Sequence, residues 1–440
     1  MKSGVSRPYY GPRYGRRSFL KGVAAAVTGP AILAGCATTG AKRAAPSERV
    51  VMAGVGMGWM GSENIAQFLK LKDVQVVALC DVDQNHLAAG RDMVNEAYGN
   101  KDCATYAHFE ELFARKDLDA VMIALPDHWH AIPAIAAAEA GLDIYGEKPF
   151  SHTLVEGRAM CNAVKRRKRI WQTGSWQRSV ANFRNAAELV RNGRIGKVKY
   201  VEVGLGQGHE DYTKTKDKTA PCEPPKELEY DRWLGPAPKA PYCPARLHKT
   251  WRWVMDYGGG TLMDWVGHHL DIAHWGLGLD YTGPVTVEGT GVIPVETVWN
   301  SPTDYDCTCT YEDGLVIKIN SKYPMGAKWV GEKGYIFVTR GETQADPVSL
   351  RKEKIGENEI HLYRSDAHWG NFIECVKSRK ETITPAEIAH RSASVGHLCN
   401  IAIYTGRKIR WDPKKEEIIG DAAATQMLSP KYREPWKLSV

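Results

Sequence analysis

Two short segments of the chain carry side chains that could handle a proton. Lys148 follows the apolar stretch Leu142–Tyr145 and precedes Pro149. Asp264 and His268 come after three consecutive glycines and are four residues apart, which places them on one face of a helix. Such a carboxylate could fix the tautomer of the imidazole and raise its basicity. We predict that these three residues are catalytic and take up the proton of an alcohol as it is oxidised.

Each of these residues also has a structural interpretation. Lys148 could be a surface lysine paired with Glu147, and Asp264 could form a capping box with Thr261 at the start of its helix. His268 could serve only in helix packing. A metal centre is not expected, because no third ligand shares the face of Asp264 and His268 in a suitable geometry.

A glycine-rich turn upstream is typical of a dinucleotide site. Gly56, Gly58 and Gly61 match the spacing G-x-G-x-x-G, whereas Gly54 occupies the strand end where the first glycine of such a turn usually lies. The register is therefore open by two residues, and Gly54, Gly56 and Gly58 are the predicted cofactor contacts. Asp81 ends the next strand and could hold the ribose hydroxyls. No arginine follows it to take a 2′-phosphate, so NAD is favoured over NADP.

The elements that must position these residues follow two patterns. In residues 49–172 short apolar strands alternate with helical stretches, which predicts a doubly wound parallel sheet, the Rossmann arrangement. The predicted strands are Arg49–Ala53, Val74–Leu79, Ala120–Leu125 and Leu142–Tyr145, and the clearest helical stretches are Ile132–Ala140 and Glu156–Lys165.

Residues 173–440 have longer β-branched runs and predict an α/β domain with a large, mostly antiparallel open sheet. The predicted strands are Lys197–Val203, Val285–Val292, Asp306–Tyr311, Leu315–Ser321 and Tyr335–Thr339. Tyr212–His248 is rich in Pro, Lys and Glu and predicts a long loop, while His368–Tyr404 returns to helical periodicity. Cys307 and Cys309 alternate within one run and should share a face of the sheet.

Aromatic and polar residues near the second segment suggest a sugar ring as substrate. Trp251, Arg252 and Tyr257 flank the three glycines, and His269 follows His268. Aromatic faces suit the apolar side of a sugar, and charged groups suit its hydroxyls. We predict substrate contacts from these four residues and from Arg178 at the domain junction. The alternative is that the aromatic residues form a buried cluster.

The first 36 residues predict an export signal. Arg16 and Arg17 precede an apolar stretch that ends in Leu-Ala-Gly-Cys36, which favours the twin-arginine route and a lipidated Cys36, followed by a linker over residues 37–48. We expect a periplasmic or membrane-anchored protein. Residues 1–36 hold six basic residues and no acidic one, so their removal leaves 52 basic against 51 acidic residues. The net charge falls from +7 to +1, which gives no reason to expect nucleic acid as a partner.

The chain resembles the Gfo/Idh/MocA oxidoreductases from Arg49 to about Pro413. The resemblance is carried by Glu147-Lys148-Pro149, by the block Gly258–Asp271, and by the glycine-rich start with Asp81 and the segment Pro126–His130. It implies catalytic roles for Lys148, Asp264 and His268, cofactor contacts from Pro126, His130, Glu147 and Lys148, and a dimer or tetramer. Members of the family commonly oxidise or reduce sugars and cyclitols.

Three functions remain open at this point. The first is an NAD-dependent dehydrogenase of a sugar or cyclitol hydroxyl. The second is a glycosidase that uses bound NAD to oxidise, eliminate and reduce back, and the third is a non-catalytic surface lipoprotein that binds glycans. An exported enzyme meets no pool of NAD, so we expect a tightly held cofactor that is restored in each cycle.

Overall fold

The computed structural model describes residues 48–429 and 432–438. The predicted signal region 1–36, Cys36 and nearly all of the linker 37–48 lie outside the described residues. No helix within the described part is both long and apolar enough to cross a membrane.

The first sheet has six parallel strands in the order β3-β2-β1-β4-β5-β6. Its strands are β1 Val50–Val55, β2 Val74–Cys80, β3 Ala104–Tyr106, β4 Ala120–Ile123, β5 Asp143–Gly146 and β6 Trp171–Thr173. The four predicted strands and the parallel sheet are confirmed. Strands β3 and β6 were not predicted, because three residues are too few to show a periodic pattern.

Helices of the first domain alternate with these strands. They are α1 Trp59–Phe68, α2 Gln84–Tyr98, α3 Phe109–Phe113, α4 Ala131–Glu139 and α5 Leu154–Arg166. Asp83 caps α2 by accepting hydrogen bonds from the backbone N–H groups of Asn85 and His86, and Thr153 caps α5 through the N–H of Glu156. The predicted helices in α4 and α5 are confirmed.

The second sheet has nine strands in the order β13-β12-β11-β7-β10-β9-β8-β14-β15. They are β7 Val198–Gly204, β8 Thr286–Val292, β9 Asp304–Thr310, β10 Val316–Asn320, β11 Gly326–Gly331, β12 Tyr335–Thr339, β13 Glu342–Asp346, β14 Ile409–Asp412 and β15 Glu417–Ile418. Only β7 and β10 pair in parallel, so the prediction of a mostly antiparallel sheet is confirmed. Cys307 and Cys309 are both fully buried on one face.

The helices that follow β6 in the chain are α6 Ala181–Arg191, α7 Tyr230–Leu234, α8 Gly260–Trp265, α9 Asp271–Leu277, α10 His368–Ser378, α11 Ala386–Thr405 and α12 Ala422–Gln426. A π-helical turn, Val266–Leu270, joins α8 to α9. Short 3-10 helices lie at Asp127–Trp129, Trp176–Ser179, Pro244–Arg246, Thr250–Trp253 and Val348–Lys352.

The predicted helical region His368–Tyr404 contains two helices with different partners. Arg379 takes a left-handed conformation and ends α10, and Pro385 precedes α11. Phe372 and Ile373 of α10 are buried in the core of the first domain, although their helix lies far along the chain. Helix α11 is buried almost all round, as expected for a helix enclosed between layers.

The predicted loop Tyr212–His248 is mostly irregular, and its second half crosses the first domain. We call this half, together with the residues that follow it up to the end of the 3-10 helix Thr250–Trp253, the strap (residues 226–253). Its backbone pairs with the end of β2: the N–H of Gln84 donates to Glu227 O (2.9 Å), and the N–H of Glu229 donates to Val82 O (3.1 Å). Arg232 forms an ion pair with Glu110 of α3. The strap therefore fixes part of the second domain over the carboxyl ends of the first domain's strands.

The glycine turn after β1 is constrained by backbone, and this gives a first prediction. A Cβ on Gly61 would lie 1.8 Å from Gly56 O. We expect Gly61→Ala to lower the free energy of unfolding by about 1–3 kcal/mol, because α1 must move away from the turn. Urea unfolding and nucleotide content of the purified protein check this.

Gly370→Ala is the matched control. Gly370 lies in α10, where a Cβ added to it would have only Ala367 Cβ nearby, at 3.4 Å, so alanine should leave stability equal or slightly higher. Equal stability of the two variants would contradict the backbone constraint at Gly61.

Candidate active site

A cleft lies between the glycine turn and the strap, at the carboxyl ends of β1, β2 and β4. Its lining includes Gly56, Gly58, Asp81 and Pro126 from the first domain and Arg252 from the second. Gly56 has φ +84°, and a Cβ there would lie 2.3 Å from Ala124 O. A Cβ on Gly58 would meet nothing closer than 3.9 Å, so the backbone there is open to a pyrophosphate at the start of α1.

These contacts settle the register of the turn. Strand β1 continues to Val55, so the turn begins at Gly56 and not at Gly54. A Cβ on Gly54 would meet Ile65 and Leu79 at 2.9 and 3.0 Å, which makes Gly54 a packing residue. The predicted cofactor contact from Gly54 is therefore wrong, and the geometry favours the register of Gly56, Gly58 and Gly61.

Asp81 directly follows β2, in the position predicted for a ribose-binding acid. Its carboxylate accepts hydrogen bonds from the N–H groups of Met57 (2.6 Å) and Asp83 (2.9 Å). Burial raises the pKa of Asp81, while these two hydrogen bonds favour its ionised form. The acid is thus tied directly to the glycine turn.

Two other predicted cofactor residues have mainly supporting contacts. The ring nitrogens of His130 lie 2.8 Å from Pro149 O and 2.9 Å from Leu125 O, so His130 braces the loops after β4 and β5 and does not face the cleft. Its prediction as a direct cofactor contact is wrong. Glu147 lines the cleft and accepts a hydrogen bond from Asn64 of α1 (2.8 Å).

Lys148 lies at the end of β5 and reaches across to α8. Its Nζ donates to Asp264 Oδ1 (2.8 Å) and to the main-chain oxygen of Asp264 (2.9 Å), and Arg252 Nε donates to the same Oδ1 (3.0 Å). All three side chains are only 11–13% exposed. Burial alone would raise the pKa of Asp264, but the charges of Lys148 and Arg252 hold it well below its usual value. Lys148 is therefore not a surface lysine paired with Glu147.

His268 has a different partner set from the one predicted. Because residues 266–270 form a π-helical turn, the regular spacing from Asp264 is lost, and the Asp264 carboxylate bonds to Lys148 and Arg252. The His268 imidazole is buried, and its Nδ1 has no hydrogen-bond partner among the described residues. Burial lowers the pKa of His268 well below its usual value, and the nearby charges of Lys148 and Arg340 act in the same direction. The prediction that Asp264 raises the basicity of His268 is wrong.

The predicted substrate residues separate into two groups. Trp251 and Arg252 line the cleft, and the Arg252 guanidinium lies 4.4 Å from the centre of the Trp251 ring. Tyr257 is fully buried against Trp233 (5.0 Å between ring centres) and His128, so the alternative of an aromatic cluster holds for it. Its prediction as a substrate contact is wrong.

Arg178 and His269 are also turned away from substrate. Arg178 is 2% exposed and donates to Asp271 (2.6 and 2.9 Å) and Asp280 (2.7 Å). These bonds leave no pair of guanidinium N–H groups free to bind a ligand. His269 is buried and stacks on Trp265 with ring centres 5.3 Å apart. Both predictions are wrong, because Arg178 is paired with two carboxylates and the His269 ring is packed on an indole inside the second domain.

Family comparison agrees with this architecture. Residues 49–175 match the model of an oxidoreductase family with an NAD-binding Rossmann fold, and residues 180–438 match its C-terminal alpha/beta domain. The chain belongs to the Gfo/Idh/MocA family. It therefore has a domain for a nicotinamide dinucleotide, and it is an oxidoreductase by family.

Relatives of this Gfo/Idh/MocA protein differ in activity. The 2,7-anhydro-N-acetylneuraminate hydratase of Mediterraneibacter gnavus is 29% identical over 33% of this chain, a match that spans 37% of that protein. The myo-inositol 2-dehydrogenase of Thermotoga maritima is 22% identical over 83% of this chain and 98% of its own length. The crystal structure of an aldose-aldose oxidoreductase from Caulobacter crescentus shares the fold with a TM-score of 0.60 at 19% identity, covering 82% of this chain and 99% of that one.

Sequence reasoning missed several groups around the site of this Gfo/Idh/MocA chain. Trp59, the first residue of α1, lines the cleft. Asp83, His86 and His248 place possible ligand atoms within 4.8 Å of one another at its edge, where His248 Nε2 lies 3.3 Å from the Asp83 carboxylate and helps hold the strap. The sequence did carry one signal for this group, because Asp83 and His86 are three residues apart at the start of a helix. His248 was too distant in sequence to be connected with it.

Asp127 is another missed residue, and it gives a second prediction. The side chain is 4% exposed, its Oδ1 has no partner among the described residues, and burial raises its pKa to about 7 from 3.8. Between pH 4 and pH 7 the folded protein holds a proton that the unfolded chain has lost, so stability falls as pH rises through this window. Asp127→Asn removes the ionisable group and therefore removes this pH-dependent loss of stability. We expect the variant to gain about 2–4 kcal/mol relative to wild type between pH 4 and pH 8, measured by urea unfolding.

Asp117→Asn is the control for this prediction. Asp117 is exposed and its pKa is lowered by a hydrogen bond from Arg115, so its replacement should change stability equally at pH 5 and pH 8. A gain for Asp127→Asn that does not grow with pH would contradict the burial of an unsatisfied carboxyl group.

Proposed function

We propose that the protein is an NAD-dependent oxidoreductase that acts on a hydroxyl of a sugar or cyclitol and keeps its cofactor bound. The observation that carries this proposal is the shared Asp264 carboxylate, which holds Lys148 and Arg252 at the edge of the cleft beside a neutral His268. Such a set provides both a cation for a developing alkoxide and an imidazole that can accept a proton.

The residues of the cleft fit a nicotinamide dinucleotide. The open backbone at Gly58 and the start of α1 would hold the pyrophosphate, and Asp81 would hold the ribose hydroxyls. We propose NAD over NADP, because two carboxylates, Asp81 and Asp83, stand where a 2′-phosphate would add charge. When bound, the nicotinamide would accept the hydrogen on the substrate carbon with its electron pair.

The protein's own residues would manage the hydroxyl. The ion pair with Asp264 fixes the position of the Lys148 ammonium, which donates a hydrogen bond to the substrate oxygen as negative charge develops there. The buried His268 is kept neutral by its lowered pKa, and it can therefore take the hydroxyl proton. Trp59 and Trp251 offer aromatic faces to the apolar side of the ring.

The strap supports the proposal that the cofactor is retained. Arg232, Trp233, His248 and Lys249 of the strap line the same cleft as Gly56 and Asp81. The strap is fixed to the first domain by backbone hydrogen bonds, by the Arg232–Glu110 ion pair and by Lys249 over the Trp59 ring (4.3 Å). A nucleotide beneath it could leave only after several of these contacts break.

A redox-neutral glycosidase is the second candidate, in which bound NAD would oxidise the sugar, the oxidised sugar would undergo elimination, and the NADH formed would reduce the product and return to NAD. It is favoured by the same enclosure and by a relative whose name describes a hydratase, a reaction without net oxidation. Release of sugar from an aryl glycoside without net NADH would identify this activity. A non-catalytic glycan-binding protein has no comparable support from the Lys148–Asp264 geometry.

We also propose that the protein is exported by the twin-arginine route and anchored through Cys36. The support is the order of paired arginines, apolar stretch and Leu-Ala-Gly-Cys in the first 36 residues. A homo-oligomer of two or four chains is proposed from the family. Labelling with a radioactive fatty acid, lost in Cys36→Ser, tests the anchor.

The Lys148 role gives a third prediction. We expect Lys148→Met to lower kcat about 10²- to 10⁴-fold, because the substrate oxygen loses its cationic donor. The measurement is the rate at which sugars or cyclitols reduce the bound nucleotide, followed at 340 nm. Lys72→Met, at an exposed position of the α1–β2 loop, is the control and should keep full activity. Undiminished turnover in Lys148→Met would refute the proposed mechanism.

Cofactor retention gives a fourth prediction. Purified wild-type protein should keep nicotinamide nucleotide through extended dialysis, as shown by absorbance after denaturation. Arg232→Met removes the ion pair with Glu110 and should release nucleotide faster. A nucleotide-free wild-type preparation that turns over normally on added NAD would overturn the retention proposal.

A further inference from the structure

Arg340 lies in the tight turn between β12 and β13, beside the candidate catalytic residues. Its guanidinium carbon is 4.5 Å from the centre of the Trp176 ring and 4.7 Å from that of Trp265. The sequence separates these residues widely, and neither Arg340 nor Trp176 was among the predicted site residues. The three side chains form a group that we call the indole–arginine cluster.

Arg340 differs from the other arginines that stack on aromatic rings. Within the described residues, Arg178, Arg232 and Arg252 also lie over rings, and each has a carboxylate partner at close distance. Arg340 forms no ion pair in this part of the chain. No described carboxylate compensates its charge, and because the residue is exposed, a ligand from solvent can reach the guanidinium.

The orientation of Arg340 is fixed by Gln177. With the Gln177 amide oriented to satisfy both neighbours, its oxygen accepts from Arg340 Nε (3.0 Å) and its nitrogen donates to His268 O (3.3 Å). The two terminal nitrogens of the guanidinium make no hydrogen bond with any described residue. They form a free, directed fork of the kind that binds a carboxylate through two parallel hydrogen bonds.

The cluster lies next to the group proposed to take the substrate proton. The ring centres of Trp176 and Trp265 are 6.1 and 5.6 Å from that of His268, so one pair of indoles contacts both His268 and Arg340. The Arg340 charge lowers the pKa of His268 and of His269 and is attracted to Asp264. An anion bound at Arg340 would therefore lie near the proposed proton acceptor His268.

We propose that Arg340 binds a carboxylate carried by the substrate, so that the preferred substrates are acidic sugars such as uronates. This inference rests on the proposed function for the location of the reacting hydroxyl. A planar monoanion matches the single guanidinium in charge and in fork geometry, whereas a phosphate dianion would leave charge unpaired. The indoles hold the guanidinium by cation–π contact while its terminal nitrogens meet the ligand.

Direct binding tests the proposal independently of turnover. Wild-type holoprotein is titrated with glucuronate, galacturonate, glucose, galactose and glucose 6-phosphate, and tryptophan fluorescence and thermal shift are followed. We expect uronates to bind about 10- to 100-fold more tightly than the neutral sugars, a range typical of a charge-assisted pair. Arg340→Gln should remove this preference, Arg340→Lys should restore part of it, and the exposed Arg351→Gln should retain it in full.

Turnover provides the second measurement. The ratio of kcat/KM for a uronate to that for its neutral counterpart should fall about 10- to 100-fold in Arg340→Gln. Equal losses for acidic and neutral sugars would show a structural role and overturn the proposal, as would equal binding of both by wild type or preference for the phosphate. If no sugar reduces the nucleotide, the proposed oxidoreductase function fails, and the binding data still decide the role of Arg340.

Discussion

The site depends on one buried carboxylate that serves two cations from different parts of the fold. Asp264 on α8 accepts hydrogen bonds from Lys148, at the end of β5 in the first domain, and from Arg252, in the strap. Removing three charges from water costs desolvation free energy. A fold tolerates this only where the charged partners are close and their remaining donors are hydrogen-bonded. The ion cluster therefore requires the two domains and the strap to adopt one mutual arrangement. It also keeps the Lys148 ammonium in a fixed position before any substrate arrives.

The π-helical turn after α8 explains how one helix can serve two functions. A regular helix would place Asp264 against His268. The imidazole and the two cations would then compete for the same carboxylate. The extra residue in the turn leaves Asp264 facing Lys148, while His268 lies against the indoles of Trp176 and Trp265. Gly267 permits this approach, because a Cβ there would already lie 3.3 Å from Lys148 Cβ. In the mechanism that we propose, Asp264 therefore positions Lys148, and His268 acts separately without a carboxylate–imidazole relay.

Sequence reasoning succeeded where the signal was local. The apolar runs of the parallel sheet, the glycine turn and Asp81 at the end of β2 follow from short-range patterns, and Lys148 follows from its place after a strand. It failed where partners are distant or periodicity changes. The predicted partner of Asp264 is wrong because a four-residue spacing assumes an unbroken helix, and the predicted ligand role of Arg178 is wrong because its two carboxylate partners lie 93 and 102 residues away. Helix α10 joins the first domain from more than 190 residues beyond it, which no local pattern could reveal.

Arg340 shows how an unpaired arginine that can bind a ligand is distinguished from an unpaired surface arginine without a ligand. A solvent-exposed arginine without a partner is ordinary, because water satisfies it. Arg340 is exposed as well, but its guanidinium is held between two indoles and its Nε donates to Gln177, so its direction is fixed although no described carboxylate pairs with it. The other stacked arginines of the described chain show that the fold does supply acids where a charge is only structural. The fixed guanidinium is therefore free to meet a partner from outside the chain. Gln177 also donates to His268 O, so such a partner would lie near the proposed proton acceptor.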